Sequence, residues 1–216
     1  MRQVFFAELE ALGHDLTAMS RLVETAIDQA GTALLTADLT LAEQVIEADH
    51  AIDAMERDLD DRCVLLIAQQ QPVASDLRTV ISALRMSASL ERMGDLARHL
   101  AEIARLRYPE PMVPEPLDDL FRQLHGAAVR IAGEVTAVLE ARDVDMARAI
   151  DDDDDLLDRL HAETFEATLG GTLDLTAQQV VDITLAARYF ERFGDHAVSV
   201  ASRVVYLVTG TEYTHH

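Results

Sequence analysis

The sequence predicts an all-α protein, a tandem duplication of a three-helix antiparallel bundle with six long helices, and three observations lead to this prediction. Hydrophobic residues make up 49% of the 216 residues, and they recur at the spacing of helix faces along most of the chain. Aromatic residues are only 5% and Trp is absent, which favours helix packing over a sheet rich in aromatic and β-branched side chains. The segments LERMGD (residues 90–95) and FERFGD (residues 190–195) repeat one motif 100 residues apart.

Three helices are predicted in the first half. Apolar residues at helical spacing across residues 4–34 predict a first helix of more than 30 residues. The second helix is predicted to begin with Thr40 as its N-cap and to run to the glutamines at 69–71. Pro72 suits the first turn of a third helix, which continues to Tyr108.

The second half repeats this plan after a proline-rich break. Four of the five prolines fall in residues 109–116, a stretch that cannot continue a helix and is predicted to be an extended linker. Gly170 and Gly171 separate the last two helices. The predicted helices cover residues 117–141, 143–169 and 176–208. The predicted domains are a first repeat (1–108), the linker (109–116), a second repeat (117–210) and a tail (211–216) that contains His215 and His216.

Charge and cysteine content exclude several classes of protein. The formal net charge of −21 arises from 39 acidic residues against 18 basic ones, all of them Arg. This field repels a phosphate backbone, so nucleic-acid binding is not expected, but it attracts metal cations or a basic surface on a protein partner. Cys63 is the only cysteine, which indicates a reducing compartment. No uninterrupted apolar stretch approaches the roughly 18–20 residues of a membrane span, and the sequence predicts a cytoplasmic protein.

Pairs of acidic residues mark the second and third helices. Asp49 and Asp53 are four residues apart on the second helix, and Glu91 and Asp95 repeat that spacing on the third. Residues four apart lie on one helix face, where two like charges repel each other. Because short loops make these helices antiparallel neighbours, the four carboxylates are expected to converge. Hard cations such as Mg²⁺, Mn²⁺ and iron prefer such oxygen ligands.

The second half offers a similar set of acids. Glu191 and Asp195 lie on the sixth helix, and the fifth carries the aspartate run at 151–155 followed by Asp158. The four-residue spacing favours Asp154 with Asp158 as the partners of the sixth-helix pair. The sequence therefore predicts one carboxylate cluster in each repeat.

The register of the fifth helix has an alternative. Matching Ile46 to Ile150 gives an offset of 104 residues and places Leu157 at the position of Asp53. The two six-residue motifs are offset by 100. This register makes the second copy four residues shorter between its last two helices.

Simpler interpretations of the acidic pairs stay open. A single acidic pair is usually solvated surface, and the aspartate run is equally well explained as a solvated face. Neighbouring arginines can also neutralise the acids in an ion-pair network; the candidates are Arg85, Arg92, Arg188 and Arg192. A glycine inside a helix costs about 1 kcal/mol unless close approach requires it, so its recurrence beside both acid pairs favours a ligand role. His50 and His99 are expected to be exposed or locally hydrogen-bonded.

Several of these segments are similar to the PhoU family. The resembling segments are the two motifs at 90–95 and 190–195, the turn AQQQPVASDLR at 68–78, the opening residues 5–12, and residues 45–53. The resemblance covers nearly the whole chain and implies a six-helix protein of two repeats, often a dimer. It further implies a negative regulator of bacterial phosphate uptake that links a phosphate ABC transporter ATPase to a membrane sensor histidine kinase. Any membrane association is then peripheral, through these partners.

The resemblance also implies metal clusters. In the family, acid-x-x-x-Asp motifs are associated with multinuclear metal centres that hold divalent or trivalent ions, with iron, zinc, manganese and magnesium as the candidates here. The matching residues in this chain are Asp49, Asp53, Glu91, Asp95, Asp154, Asp158, Glu191 and Asp195. His99 and Ser199 stand where the family commonly has Asn.

The sequence favours a non-enzymatic regulator over two alternatives. A carboxylate-bridged metalloenzyme of ferritin-like type needs Glu-x-x-His on two helices, and only the segment from Glu47 to His50 matches. No phosphate-binding glycine-rich loop and no serine or cysteine nucleophile motif is present. An inert helical scaffold is the other alternative. It predicts that Gln and Asn in place of Glu91 and Asp95 leave metal content and stability almost unchanged.

Overall fold

The computed structural model describes residues 2–171 and 173–211. Six long helices account for nearly all of these residues, and no β-strand occurs in this part of the chain. The helices are α1 (Arg2–Thr36), α2 (Leu39–Gln70), α3 (Ala74–Arg107), α4 (Asp118–Ala141), α5 (Val144–Leu169) and α6 (Ala177–Thr209), with a short 3₁₀ helix at Glu115–Leu117. The predicted all-α fold is therefore confirmed. His215 and His216 of the predicted tail lie outside the described residues.

The helices start close to their predicted positions, with two corrections. Asp38 caps α2 instead of Thr40, because its Oδ1 accepts a hydrogen bond from the backbone N–H of Leu41 at 3.0 Å. Pro72 lies before α3 and outside its first turn, since the chain is still extended at the following residue. Thr176 caps α6 in a full capping box, as its position at the predicted start suggests.

The proline-rich linker departs from the extended chain that the sequence predicts. Its last residues turn into the 3₁₀ helix Glu115–Leu117. Met112, Val113 and Leu117 are buried, so the segment packs onto the helices that it connects. Burial of these apolar side chains explains why the chain folds back here instead of extending into water.

The two halves share one core. Helices α1, α2 and α3 pack together as one bundle, and α4, α5 and α6 as a second; the bundles join where α1 packs on α4 and α3 on α6. Buried apolar side chains from all six helices form one continuous cluster, whose largest members include Phe121, Phe190 and Phe193. Since each fully buried large side chain contributes roughly 1.5–3 kcal/mol, the halves stabilise each other. Among the described residues, no helix combines the length and apolar character needed to cross a membrane.

Buried positions fix the correspondence between the repeats. Along α3 and α6 they match at an offset of 100 residues, so that Leu90 corresponds to Phe190. Along α2 and α5 they match at an offset of 105, so that Val45 corresponds to Ile150. Pairing Ile46 with Ile150 is therefore wrong, because Ile46 is only partly buried. The second copy is shorter by five residues, not four, between its last two helices.

A buried ion pair joins α3 to α6, and its loss is our first testable prediction. Arg107 donates from Nη2 to Oδ1 of the buried Asp182 at 3.1 Å, and Gln178 donates to the same oxygen at 2.9 Å. We expect Arg107→Ala to lower the free energy of unfolding by about 2 kcal/mol. This is less than the roughly 3–5 kcal/mol of an abandoned buried charge, because Gln178 keeps one hydrogen bond to the carboxylate. Urea unfolding at pH 7 measures the loss.

The neighbouring Arg105 supplies the control for this prediction. It lies two residues earlier on α3 and is exposed, so Arg105→Ala should change the free energy of unfolding by no more than about 0.5 kcal/mol. Equal losses in the two variants would show that the ion pair with Asp182 does not stabilise the joint between the halves.

Candidate functional site

The predicted acids of the first half do come together. The first acidic cluster consists of Asp49 and Asp53 on α2 and Glu91 and Asp95 on α3. Asp49 is only 6% exposed, and the other three are partly buried. Burial, followed by the charge of Asp95, raises the pKa of Glu91. The convergence that helical spacing predicts for these four residues is therefore observed.

Arg98 pairs with two members of the first acidic cluster. Its Nε lies 2.7 Å from Oδ2 of Asp49 on the neighbouring helix, and its Nη2 donates to Oδ1 of Asp95 at 2.7 Å. A third nitrogen, Nη1, donates to Glu102 at 2.7 Å. Burial acts to raise the pKa of Asp95, but the hydrogen bond and the charge of Arg98 outweigh it and lower that pKa. The guanidinium thus supplies one positive charge to two of the four acids and holds α2 to α3. Burial nevertheless raises the pKa of Asp49.

The second acidic cluster consists of Asp154 and Asp158 on α5 and Glu191 and Asp195 on α6. The offset of 105 residues places its α5 pair at the positions of the α2 pair, so the favoured choice within the aspartate run agrees with the packing. Glu191 is only 8% exposed, whereas Asp158 and Asp195 are exposed. The charges of Asp158 and Asp195 both act on Asp154, so the four carboxylates are close enough to interact.

This second cluster is poorly neutralised. Arg188 donates to Oε1 of Glu191 from the same helix. Oδ1 of Asp154 and Oε2 of Glu191 are both buried and have no hydrogen-bond partner among the described residues. Buried oxygens without partners are costly. The residue that corresponds to Arg98 is the buried Val198, which carries no charge.

Other residues of the aspartate run point elsewhere. Asp152 and Asp155 are exposed, as the solvated-face interpretation predicts. Asp153 accepts a hydrogen bond from Arg130 on α4 at 3.1 Å. Of the residues at 152–155, only Asp154 faces Gly194 of the sixth-helix motif. The run is therefore divided among three environments by its helical rotation.

The motif glycines allow the helices to approach closely, as their cost in a helix suggests. A Cβ added at Gly94 would lie 3.0 Å from Cδ1 of Ile52. One added at Gly194 would lie 2.9 Å from Cδ1 of Leu157 and closer still to Oδ1 of Asp154. A side chain at either position would require Ile52, Leu157 or Asp154 to shift, so both glycines favour close packing between the acid-bearing helices.

The ion-pair interpretation is also correct in part. Arg92 donates to Asp95 at 2.9 Å and lies 3.4 Å from Glu91, although its side chain is largely exposed. His50 is exposed, as predicted. His99 stacks near Tyr189 of the second repeat, with ring centroids 5.2 Å apart, and lies beside Arg98 rather than in a ligand position.

Sequence reasoning missed two residues at these clusters. Arg98 lies three residues after Asp95. A comparison of the two copies at an offset of 100 residues could have found it, because Val198 at the corresponding position carries no charge. His161 lies three residues after Asp158, where burial lowers its pKa and its Nε2 is buried without a partner. Nothing in the sequence pattern distinguished this histidine from the other seven in the chain.

The two clusters differ in how well they fit a metal ion. As the side chains stand, no group of three or more His, Cys, Asp or Glu residues within 2–171 and 173–211 is placed to hold a metal. The first cluster does not fit, because Arg98 already pairs with Asp49 and Asp95. The second offers a hard cation more, since Asp154 and Glu191 each have a buried carboxylate oxygen without a hydrogen-bond partner among the described residues.

The second testable prediction concerns pH. Burial, followed by the charges of Asp158 and Asp195, raises the pKa of Asp154 from 3.8 to about 7. Because the folded state binds this proton more tightly than the unfolded state, its contribution to stability is present below about pH 4 and is lost as pH rises to about 7. We expect Asp154→Asn to stabilise the metal-free protein at pH 8 by about 2 kcal/mol, a value discounted for partial exposure.

The measurement is urea unfolding of wild type and Asp154→Asn in EDTA at pH 5 and pH 8. The difference between the two proteins should be larger at pH 8, where the wild-type carboxylate is charged. The exposed neighbour Asp155 provides the control, since Asp155→Asn should show a much smaller difference between the two pH values. A stabilisation by Asp154→Asn that is independent of pH would contradict the assignment.

Comparison with known proteins identifies the family. The PhoU domain model matches residues 16–104 and again residues 121–204. The phosphate-specific transport system accessory protein PhoU homolog 2 of Mycobacterium tuberculosis is 38% identical over 97% of this chain and 99% of its own. The Pseudomonas aeruginosa PhoU homolog is 35% identical over 99% of this chain and 88% of its own.

Two solved structures share the fold. The crystal structure of PhoU from Pseudomonas aeruginosa matches with a TM-score of 0.89 and 35% identity over 96% of this chain and all of that one. The crystal structure of the phosphate transport system regulatory protein PhoU from Streptococcus pneumoniae matches with a TM-score of 0.87 and 26% identity, over 97% of this chain and 99% of that one. These relatives are named accessory and regulatory proteins, so the prediction of a non-enzymatic protein is confirmed. The chain belongs to the PhoU family, and it carries the PhoU domain twice.

Proposed function

We propose that this protein is an accessory protein of a bacterial phosphate transport system and a negative regulator of phosphate uptake. The single observation that carries this proposal is the similarity to PhoU proteins along nearly the whole chain, at 38% identity to a phosphate-specific transport system accessory protein. In this role the protein links a phosphate ABC transporter ATPase to a sensor histidine kinase in the cytoplasm. The net charge of −21 suits basic surfaces on such partners.

Bound cations are the second part of the proposal. A divalent or trivalent ion held by Glu191, Asp195, Asp154 and Asp158 would neutralise carboxylates that otherwise push α5 and α6 apart. Two buried oxygens without partners in this cluster support the proposal. An ion that binds the folded state but not the unfolded state stabilises the folded state. Occupancy would then fix the surface that this half of the protein presents to a partner or to a second copy in a homodimer.

Phosphate uptake in the source bacterium tests the regulatory role. Deleting the gene should raise the initial rate of radiolabelled phosphate uptake in phosphate-rich medium, because the brake on the transporter is lost. Wild-type protein should restore the low rate, and Glu191→Gln with Asp195→Asn should restore it less well. The control is Asp60→Asn with Asp61→Asn, which removes the same charge from exposed positions on α2. Unchanged uptake after deletion would refute the role.

A chelator tests the cation. EDTA should lower the Tm of wild type more than that of the Glu191→Gln, Asp195→Asn variant, since only wild type loses a stabilising ligand. A loss of about 1 kcal/mol corresponds to roughly 2–4 °C in a domain of this size, which differential scanning fluorimetry resolves. Equal drops in Tm would argue for the inert helical scaffold. Oxygen consumption by the metal-loaded protein would instead favour a ferritin-like metalloenzyme.

A further inference from the structure

The first acidic cluster contains an arginine between its two helices that the second cluster lacks. Arg98 on α3 lies within 2.7 Å of carboxylate oxygens on both α2 and α3. At the corresponding position on α6, 100 residues later, stands Val198, which is buried and uncharged. The residues that Arg98 contacts in the first cluster, Asp49 and Asp95, keep acidic counterparts in the second. Both copies therefore carry these acids, whereas an arginine at this position is present in only one copy.

The contacts of Arg98 are those that a bound cation would make. Its guanidinium reaches Asp49 on α2 and Asp95 and Glu102 on α3, so one positive charge bridges two helices. A guanidinium is always protonated, and its planar set of donors matches carboxylates. We propose that Arg98 takes the place of a metal ion in the first acidic cluster, so that the chain binds metal through its second cluster alone. This inference rests on the cation-binding part of the proposed function.

The second acidic cluster leaves buried carboxylate oxygens without partners. Glu191 is more than nine-tenths buried, yet its Oε2 has no hydrogen-bond partner among the described residues. Oδ1 of Asp154, across the helix interface, is in the same condition. Arg188 contacts only the other oxygen of Glu191, from the solvent side of the same helix. Asp154 is the counterpart of Asp49, which Arg98 contacts in the first repeat. Two buried acceptors without donors, one of them on Asp154, therefore mark a site for an external cation.

Manganese binding to the purified protein tests this asymmetry. Full-length protein is stripped with EDTA and dialysed against Mn²⁺, and bound metal is counted by elemental analysis. Glu191→Gln with Asp195→Asn should abolish binding, whereas Glu91→Gln with Asp95→Asn should leave it at the wild-type level. Both double variants remove two charges from matched positions on α6 and α3. Equal loss of Mn²⁺ in the two, or greater loss in the first-cluster variant, would overturn the inference.

Replacing Arg98 provides the gain-of-binding test. Arg98→Val copies the second repeat and should bind about one further Mn²⁺ per chain, and adding Asp49→Asn should remove that gain. Mn²⁺ should also raise the Tm of Arg98→Val more than that of wild type, which a purely structural arginine would not produce. Arg98→Gln serves as the second variant if Arg98→Val does not fold, because the amide preserves volume without charge. No added Mn²⁺ in either folded variant would overturn the inference.

The two proposals fail separately. Metal counting uses isolated protein, and the regulatory role is measured as phosphate uptake in cells. Symmetrical Mn²⁺ binding by both clusters would overturn the role of Arg98 and leave the phosphate-transport proposal standing. Asymmetrical binding in a protein whose deletion leaves phosphate uptake unchanged would support the role of Arg98 and refute the regulator.

Discussion

Replacing Phe193 by alanine is expected to lower the free energy of unfolding by about 3–5 kcal/mol. Phe193 lies between the acids of the sixth-helix motif, but its own side chain is fully buried in the core shared by the two halves. Truncation removes the transfer free energy of the ring and leaves a cavity that close-packed helices fill only partly. In a chain of this size, a loss of 1 kcal/mol lowers Tm by roughly 2–4 °C. Thermal unfolding followed by circular dichroism should therefore show a drop of about 10 °C.

Phe165 on α5 is the matched control for this prediction. It is also a phenylalanine in the second half, but 39% of its surface is exposed. Phe165→Ala should cost no more than about 1 kcal/mol, because a substantial part of the residue already contacts water and less apolar surface is lost. If the two variants lose the same stability, then the α6 motif is not packed into the core as described.

Most of the fold was predictable because helix periodicity acts over many residues. Residues 4–34 repeat the apolar spacing often enough that no competing structure fits them, and α1 spans Arg2–Thr36. The N-cap of α2 and the packing of the linker were harder to predict. Asp38 and Thr40 are both good N-caps two residues apart, and which one caps α2 depends on where the preceding turn places its backbone. Met112 and Val113 are buried through tertiary contacts that the proline pattern does not reveal.

The converging acids were predictable, and so were the counter-charges of Arg92 and Arg188. The contact of Arg98 with Asp49 was not. Four-residue spacing and duplication identified all eight carboxylates, because both signals depend on sequence distance alone. Arg98 neutralises Asp49 on another helix, and the length and rotation of that helix determine the contact. Direct comparison of the repeats at each position would have revealed Arg98 against Val198. The correct offset for α5 required burial, since Val45 and Ile46 are both apolar and only packing distinguishes them.

In metal-free solution, Arg98→Val is expected to lower the free energy of unfolding by about 3–5 kcal/mol. The substitution leaves Asp49, which is only 6% exposed, beside Asp53 and Asp95 without a cation. A buried charge that loses its partner destabilises the protein by more than the intact ion pair stabilises it, because no nearby cation offsets the desolvation of the carboxylate. Urea unfolding in EDTA at pH 7 measures the loss. Arg92→Val should cost no more than about 1 kcal/mol, since Arg92 also contacts Asp95 but is mostly exposed.

Removing the carboxylate together with the arginine separates charge from packing. If the loss in Arg98→Val comes from the abandoned charge of Asp49, then adding Asp49→Asn should recover more than half of it, although the double variant has fewer polar contacts than wild type. This non-additivity is expected because both substitutions act on one ion pair. If the two losses simply add, Arg98 stabilises the helices through its aliphatic stem, and its role as an internal cation is wrong.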